Sequence, residues 1–193
     1  MNDIFLLPTD GDPPTMQFYY GDEIPNAAKK NAFCIPLEDS FWSVPTIKVN
    51  INGVDLKAII DTGSPITILN TEAAEKVGIG NTLSKEEEED TSFLIVKGVD
   101  DDNINLIRSK EGASLSIGGD FSLGDIHVCV GNLPGIAFAS SLSSSAEPQV
   151  LLGLDALRRT YRMILSTPKN EVWFEQLPEK FMPIALQQSS SKQ

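Results

Sequence analysis

Side chains that bind metals or act as nucleophiles are scarce in this chain: its 193 residues include two cysteines and one histidine. Cys34 and Cys129 sit in unlike contexts and form neither a CxxC pair nor a disulfide framework. The expectation is two reduced thiols, which points to an intracellular setting. His127 lies in Asp125-Ile126-His127-Val128-Cys129-Val130, where apolar and polar residues alternate, so it is expected to face outward from a strand. A serine triad would have to use it, yet the chain has no G-x-S-x-G elbow. Cys129 shares the His127 face, but nothing in the sequence orients the two as a catalytic pair. Zinc lacks a ligand set and there is no phosphate-binding glycine loop, so no metal and no cofactor are expected.

Positive charge is also in short supply. With a net charge of −12 and a pI near 4.4, the chain should repel nucleic acid and anionic membrane surfaces. Much of the excess is local, in Glu86-Glu87-Glu88-Glu89-Asp90 and Asp100-Asp101-Asp102, and like-charge runs of this kind mark solvated loops. Asp100, Asp102 and Glu111 fall at positions 1, 3 and 12 of a calcium loop, but Ile104 and Asn105 stand where a ligand and a glycine are needed. No apolar run reaches the length of a membrane span, and Met1 to Asp12 lacks the basic and apolar regions of a signal peptide. No internal repeat is present.

What remains is a pattern of short strands. Residues 1–45 carry Pro8, Pro13, Pro14, Pro25, Pro36 and Pro45 and read as an N-terminal extension, docked at least in part through Phe18, Tyr19, Tyr20, Phe41 and Trp42. From Thr46 the period becomes two: Ile47, Val49 and Ile51 alternate with Lys48 and Asn50. Asn52-Gly53 is a strong hairpin signal, and a return strand over Val54–Ile60 runs into Asp61-Thr62-Gly63-Ser64. Asn70 or Thr71 can cap a short helix through Val77, closed by Gly78. Strands are predicted at 93–96, 113–117 and 121–130, the last two joined at Gly118-Gly119-Asp120. Val150-Leu151-Leu152-Gly153 precedes a short helix near 155–159, then a hairpin over 163–174. Close-spaced strands with two brief helices indicate an all-β, barrel-like domain over 46–176, followed by a polar tail at 177–193.

Ala58-Ile59-Ile60-Asp61-Thr62-Gly63-Ser64 has the form needed by a carboxylate that works as one of a pair. Two carboxylates a few ångströms apart cannot easily ionise together, so they share a proton and can serve as base and acid at once. Such an Asp should end an apolar strand and be followed by small residues that let the backbone turn; Gly63 suits the turn, and the Thr62 and Ser64 hydroxyls can hydrogen-bond the loop. The bare triplet is a weak signal. The hairpin before it and the apolar residues around it raise its weight.

The stretch from Val49 to Ile68, with Asp61-Thr62-Gly63-Ser64 inside it, resembles the active-site segment of the retropepsin-like aspartyl proteases. Val150-Leu151-Leu152-Gly153-Leu154-Asp155-Ala156-Leu157 is similar to the family's second signature, about 90 residues later, as in DNA-damage-inducible-like and bacterial retropepsin-like domains. The resemblance implies a closed barrel half in which Asp61 is catalytic, Thr62 locks two loops across a dimer, Gly63 shapes the loop, and Leu151, Leu152 and Gly153 pack beneath it. It further implies a homodimer acting on polypeptides, since one Asp-Thr-Gly is half a site, with the tail as a possible dimer contact. A mobile flap is implied around Val99, Asp100, Asp101, Asp102, Asn103 and Ile104, continuing to Ile107. Three aspartates depart from the glycine-rich flap tips of the retroviral members and would disfavour acidic substrates. The alternatives left open are a catalytically silent dimerisation or peptide-binding module, and a zymogen-like state with residues 1–45 or the tail across the cleft.

Overall fold

The computed structural model describes residues 2–6, 15–19, 32–38, 44–79, 93–97, 103–119, 121–131 and 149–177. The acidic insert, the flap tip at 98–102, the serine-rich stretch 140–147, Tyr20, Phe41, Trp42 and the tail beyond Leu177 lie outside these residues.

The Asn52-Gly53 turn builds the first hairpin of the domain. Asn52 takes φ 50° and Gly53 φ 84°, the left-handed pair that this dipeptide adopts cheaply. It joins β4 (Thr46–Ile51) to β5 (Val54–Ile60) in register Ile51↔Val54. The Asn50 side chain closes the turn, donating to Asp55 at 2.7 Å and accepting from the Gly53 amide at 3.0 Å. That hydrogen bond, with Lys48 beside it, holds the Asp55 carboxyl below its usual value. Along β4, Ile47, Val49 and Ile51 are buried while Lys48 is exposed, so the period of two marks the core face.

Around this hairpin the described strands form a nine-stranded sheet. Its other members are β6 (Ile68–Leu69), β7 (Phe93–Lys97), β8 (Asn103–Arg108), β9 (Ala113–Ile117), β10 (Phe121–Ile126), β11 (Cys129–Val130) and β12 (Gln149–Leu152). The order is β10-β9-β4-β5-β12-β6-β11-β8-β7. The run 121–130 is two strands instead of one. It bulges between Ser122 and Gly124 on β9, then breaks at His127-Val128 so that β11 can pair in parallel with β6. Asn103–Arg108 is extended, which is incompatible with a coiled calcium loop through those residues.

A second, five-stranded sheet has the order β2-β1-β13-β14-β3, with β1 (Asn2–Leu6), β2 (Thr15–Tyr19), β3 (Ala32–Pro36), β13 (Thr160–Ser166) and β14 (Glu171–Gln176). The N-terminal stretch thus supplies three strands, flanking the C-terminal hairpin on both sides. Phe18 and Tyr19 pair by backbone with Asp3 and Asn2 in this sheet.

Both sheets contribute to one core. Ile47, Ile51, Leu115, Ile117, Leu152, Leu157, Met163 and Phe174 are almost wholly shielded from water. Phe121 stacks between Phe33 and Phe174, with ring centroids 4.9 and 6.4 Å away. Burial of each such large side chain contributes about 1.5–3 kcal/mol. The core pins β5 and β12, the two strands that end beneath Asp61. Cys34 is exposed and Cys129 buried, and neither is in a disulfide. Among the described residues, no helix is long and apolar enough to cross a membrane.

Candidate active site

Asp61 follows the last residue of β5, and that strand end is fixed on two sides. The Ile60 amide donates to the Pro45 carbonyl at 2.9 Å, and the Asp61 amide donates to the Leu152 carbonyl at 3.0 Å. The second bond continues the parallel pairing of β5 with β12, in register Leu152↔Ile60. β12 also pairs antiparallel with β6. The chain therefore leaves β5, makes its turn at 61–64, and returns in β6 on the far side of β12. Leu151, Leu152 and Gly153 are buried beneath that turn.

Within the loop the carboxylate folds back on its own backbone: Asp61 Oδ1 accepts the Gly63 amide at 2.8 Å. Gly63 does not take a positive φ. Its value lies in closeness, because a Cβ there would stand 3.1 Å from Asp61 Oδ1. Thr62 and Gly63 are exposed and Asp61 is half-buried, so the tip of the loop is open to a second surface. The Ser64 hydroxyl donates to the Ile66 carbonyl at 2.8 Å, bracing the loop and not the carboxylate.

The loop is also tied to the helix Leu154–Leu157. The Leu154 amide donates to the Ser64 carbonyl at 2.8 Å and the Asp155 amide to the Pro65 carbonyl at 3.2 Å. The Asp155 carboxylate receives the Thr67 amide at 3.0 Å and the Thr67 hydroxyl at 2.7 Å. Thr67 Oγ1 in turn accepts the Gly153 amide at 3.1 Å, and Thr67 is wholly buried. Sequence reasoning missed Thr67 and the use of the Asp155 side chain; the only signal was an Asp in the first turn after Gly153, a position that favours acids. Arg159 donates Nη1 to the Leu123 carbonyl at 2.7 Å. Burial pulls its guanidinium below the ordinary value, with Asp155 and Asp125 opposing. Arg158 is exposed.

β7 and β8 form a hairpin in register Lys97↔Asn103. Of the expected flap residues, Asn103 and Ile104 begin β8, while Val99, Asp100, Asp101 and Asp102 are outside the described residues. β8 pairs with β11, which pairs with β6, so the hairpin is linked through β11 to the strand that leaves the Asp61 loop. A small apolar cluster of Ile68, Leu106, Cys129 and Leu151, with Ile66 and Ile104 against it, fills the space between them. Burial pushes the Cys129 thiol up. His127 is exposed but not in a strand; its Nδ1 lies 3.2 Å from the Ser109 carbonyl oxygen.

One carboxylate in a rigid, partly desolvated turn can take a proton from water. It cannot at the same moment give one to a carbonyl oxygen. That chemistry needs a second acid, and an exposed loop tip leaves room for one.

A family model described as "Aspartyl protease" matches residues 47–156, more than half of the chain. The chain is 32% identical over 114 residues to DNA damage-inducible protein 1 of Yarrowia lipolytica, covering 58% of this chain and 23% of that protein. It is 26% identical over 137 residues to the protein of that name from Phaeosphaeria nodorum, covering 70% and 26%. The chain thus spans about a quarter of the length of these curated relatives. Among solved structures, a retropepsin-like aspartic protease from Rickettsia conorii is similar with a TM-score of 0.47 at 20% identity, covering 75% of this chain and 90% of that one.

Proposed function

Because this chain belongs to the aspartyl protease family, as its likeness to the retropepsin-like members implied, we propose that it is an aspartic endopeptidase working as a homodimer. Each chain gives one Asp61-Thr62-Gly63-Ser64 loop to a shared site. The observation that carries this reading is the Asp61 turn itself. It is fixed by the Leu152 carbonyl below and the Gly63 amide within, with an exposed tip and one carboxylate per chain. The two Asp61 carboxylates share one proton. The ionised one takes a proton from water, and the water oxygen bonds to the peptide carbon. The protonated one gives its proton to the carbonyl oxygen. The tetrahedral adduct then breaks its C–N bond as the leaving amine takes up a proton. Thr62 of each loop supports the other loop across the two-fold axis, and the β7–β8 hairpin acts as the flap over an extended peptide.

The Asp100-Asp101-Asp102 run favours a second reading, in which the flap does not close productively and the fold serves as a silent dimerisation or peptide-binding module. Cleavage of a peptide library between about pH 4 and 7, with wild-type and Asp61→Asn chains, separates the two. The proteolytic reading expects cleavage that disappears in Asp61→Asn. Equal cleavage by both, or none by a dimeric wild type, contradicts it.

A further inference from the structure

We propose that Asp155 is a positioning residue of the Asp61 site, setting the loop through Thr67. The loop 61–66 is held mainly by backbone bonds, among them those from the Leu154 and Asp155 amides, and Thr67, which leads from the loop into β6, is bound by the Asp155 carboxylate. That carboxylate takes three donors: the Thr67 amide at 3.0 Å, the Thr67 hydroxyl at 2.7 Å and the Ala156 amide at 2.8 Å. A neutral amide in its place would set an NH2 group against donors. Thr67 passes the constraint on. Its hydroxyl both donates to Asp155 and accepts from the Gly153 amide, so one atom joins the loop to the strand beneath Asp61. The helix bearing Asp155 is anchored from its far end by Arg159 on the β10 carbonyl of Leu123. A rigid path therefore runs from β10 through Arg159 and Asp155 to Thr67, and from there back to the Asp61 turn.

This inference rests on the proteolytic reading for its kinetic arm alone; the amide-exchange arm is independent of it. The full chain is compared with Asp155→Asn, Thr67→Val, Thr67→Ser and the double variant Asp155→Asn/Thr67→Val. On a cleavable peptide, Asp155→Asn and Thr67→Val lower kcat about tenfold to a hundredfold, with KM within about twofold, because a small misplacement of the carboxylate costs rate and not binding. Thr67→Ser, which keeps the hydroxyl, recovers most of what Thr67→Val loses. The double variant loses no more than the weaker single one, since both break the same path. In parallel, amide exchange at Gly63 and Leu154 quickens about tenfold or more in both single variants, while exchange along β13 and β14 stays unchanged. A folded Asp155→Asn with unchanged kcat and unchanged exchange at Gly63 overturns the proposal, as do fully additive losses. If wild type cleaves nothing, exchange decides: quickening confined to the loop upholds the positioning role, and none, or equal quickening in β13 and β14, rejects it.

Discussion

Gly153 lies so close beneath Ile66 that no carbon fits between them: a Cβ on Gly153 would collide with the carbonyl oxygen and carbon of Ile66. Both colliding groups are backbone, and both belong to segments that fix Asp61. Gly153 has φ −89°, so the conflict is purely steric. Gly153→Ala is expected to destabilise the chain by about 3 kcal/mol through overpacking, read as a fall in the midpoint of a denaturant titration. An unchanged midpoint would show that β12 and the Asp61 loop are not locked together in this way.

The two thiols should behave differently. Cys34 is exposed and Cys129 buried, so one thiol per chain reacts with a maleimide in the native protein and the second only after unfolding. Burial raises the Cys129 pKa above its unfolded value. Its contribution to stability is therefore intact below about pH 8.5, where the unfolded thiol titrates, and is lost as pH rises through the higher folded value. Wild type should lose stability between about pH 8 and 10 more steeply than Cys129→Ala. Parallel curves for the two proteins contradict this.

Asn52 does more than turn the first hairpin. Its Nδ2 donates to the Val77 carbonyl at 3.1 Å, at the end of the helix Thr71–Lys76, and its Oδ1 accepts the Ser114 amide of β9 at 2.9 Å. Asn52→Ala loses both bonds and must hold φ 50°, for an expected cost of about 2 kcal/mol or more. Asn52→Gly keeps the backbone conformation and loses only the bonds, so it should fall between wild type and Asn52→Ala in thermal melts. Equal melting of all three would show that the side chain is idle.

Local signals were legible where the physics is local. Asn52-Gly53 announced its hairpin, β4 alternated as a strand should, and Asn70 caps the helix Thr71–Lys76 by accepting the Ala73 amide at 2.8 Å. Strands β1 and β3 were not legible, because each is five residues long and pairs with β13 or β14, more than a hundred residues away. β2 was no more legible: it pairs with β1 across the proline-bearing connection 7–14, too long for the two-residue hairpin that Asp10-Gly11 alone would signal. The break at His127-Val128 was hidden for a similar reason: alternation continues through it while the hydrogen-bonding neighbour changes from β9 to β6. At the candidate site, Asp61 and the Leu151-Leu152-Gly153 block were readable as motifs. The Asp155–Thr67 link was not, since 88 residues separate its partners and either side chain alone reads as an ordinary polar residue near a helix.

The most direct test of a shared two-chain site is a mixing curve. Wild-type and Asp61→Asn chains are unfolded together, refolded at constant total concentration, and assayed on a cleavable peptide. If every site needs an Asp61 carboxylate from each of two chains, activity follows the square of the wild-type fraction, about a quarter of full activity in an equal mixture. Activity that falls in simple proportion to the wild-type fraction, about half in an equal mixture, would mean that each chain carries a complete site and would contradict the account.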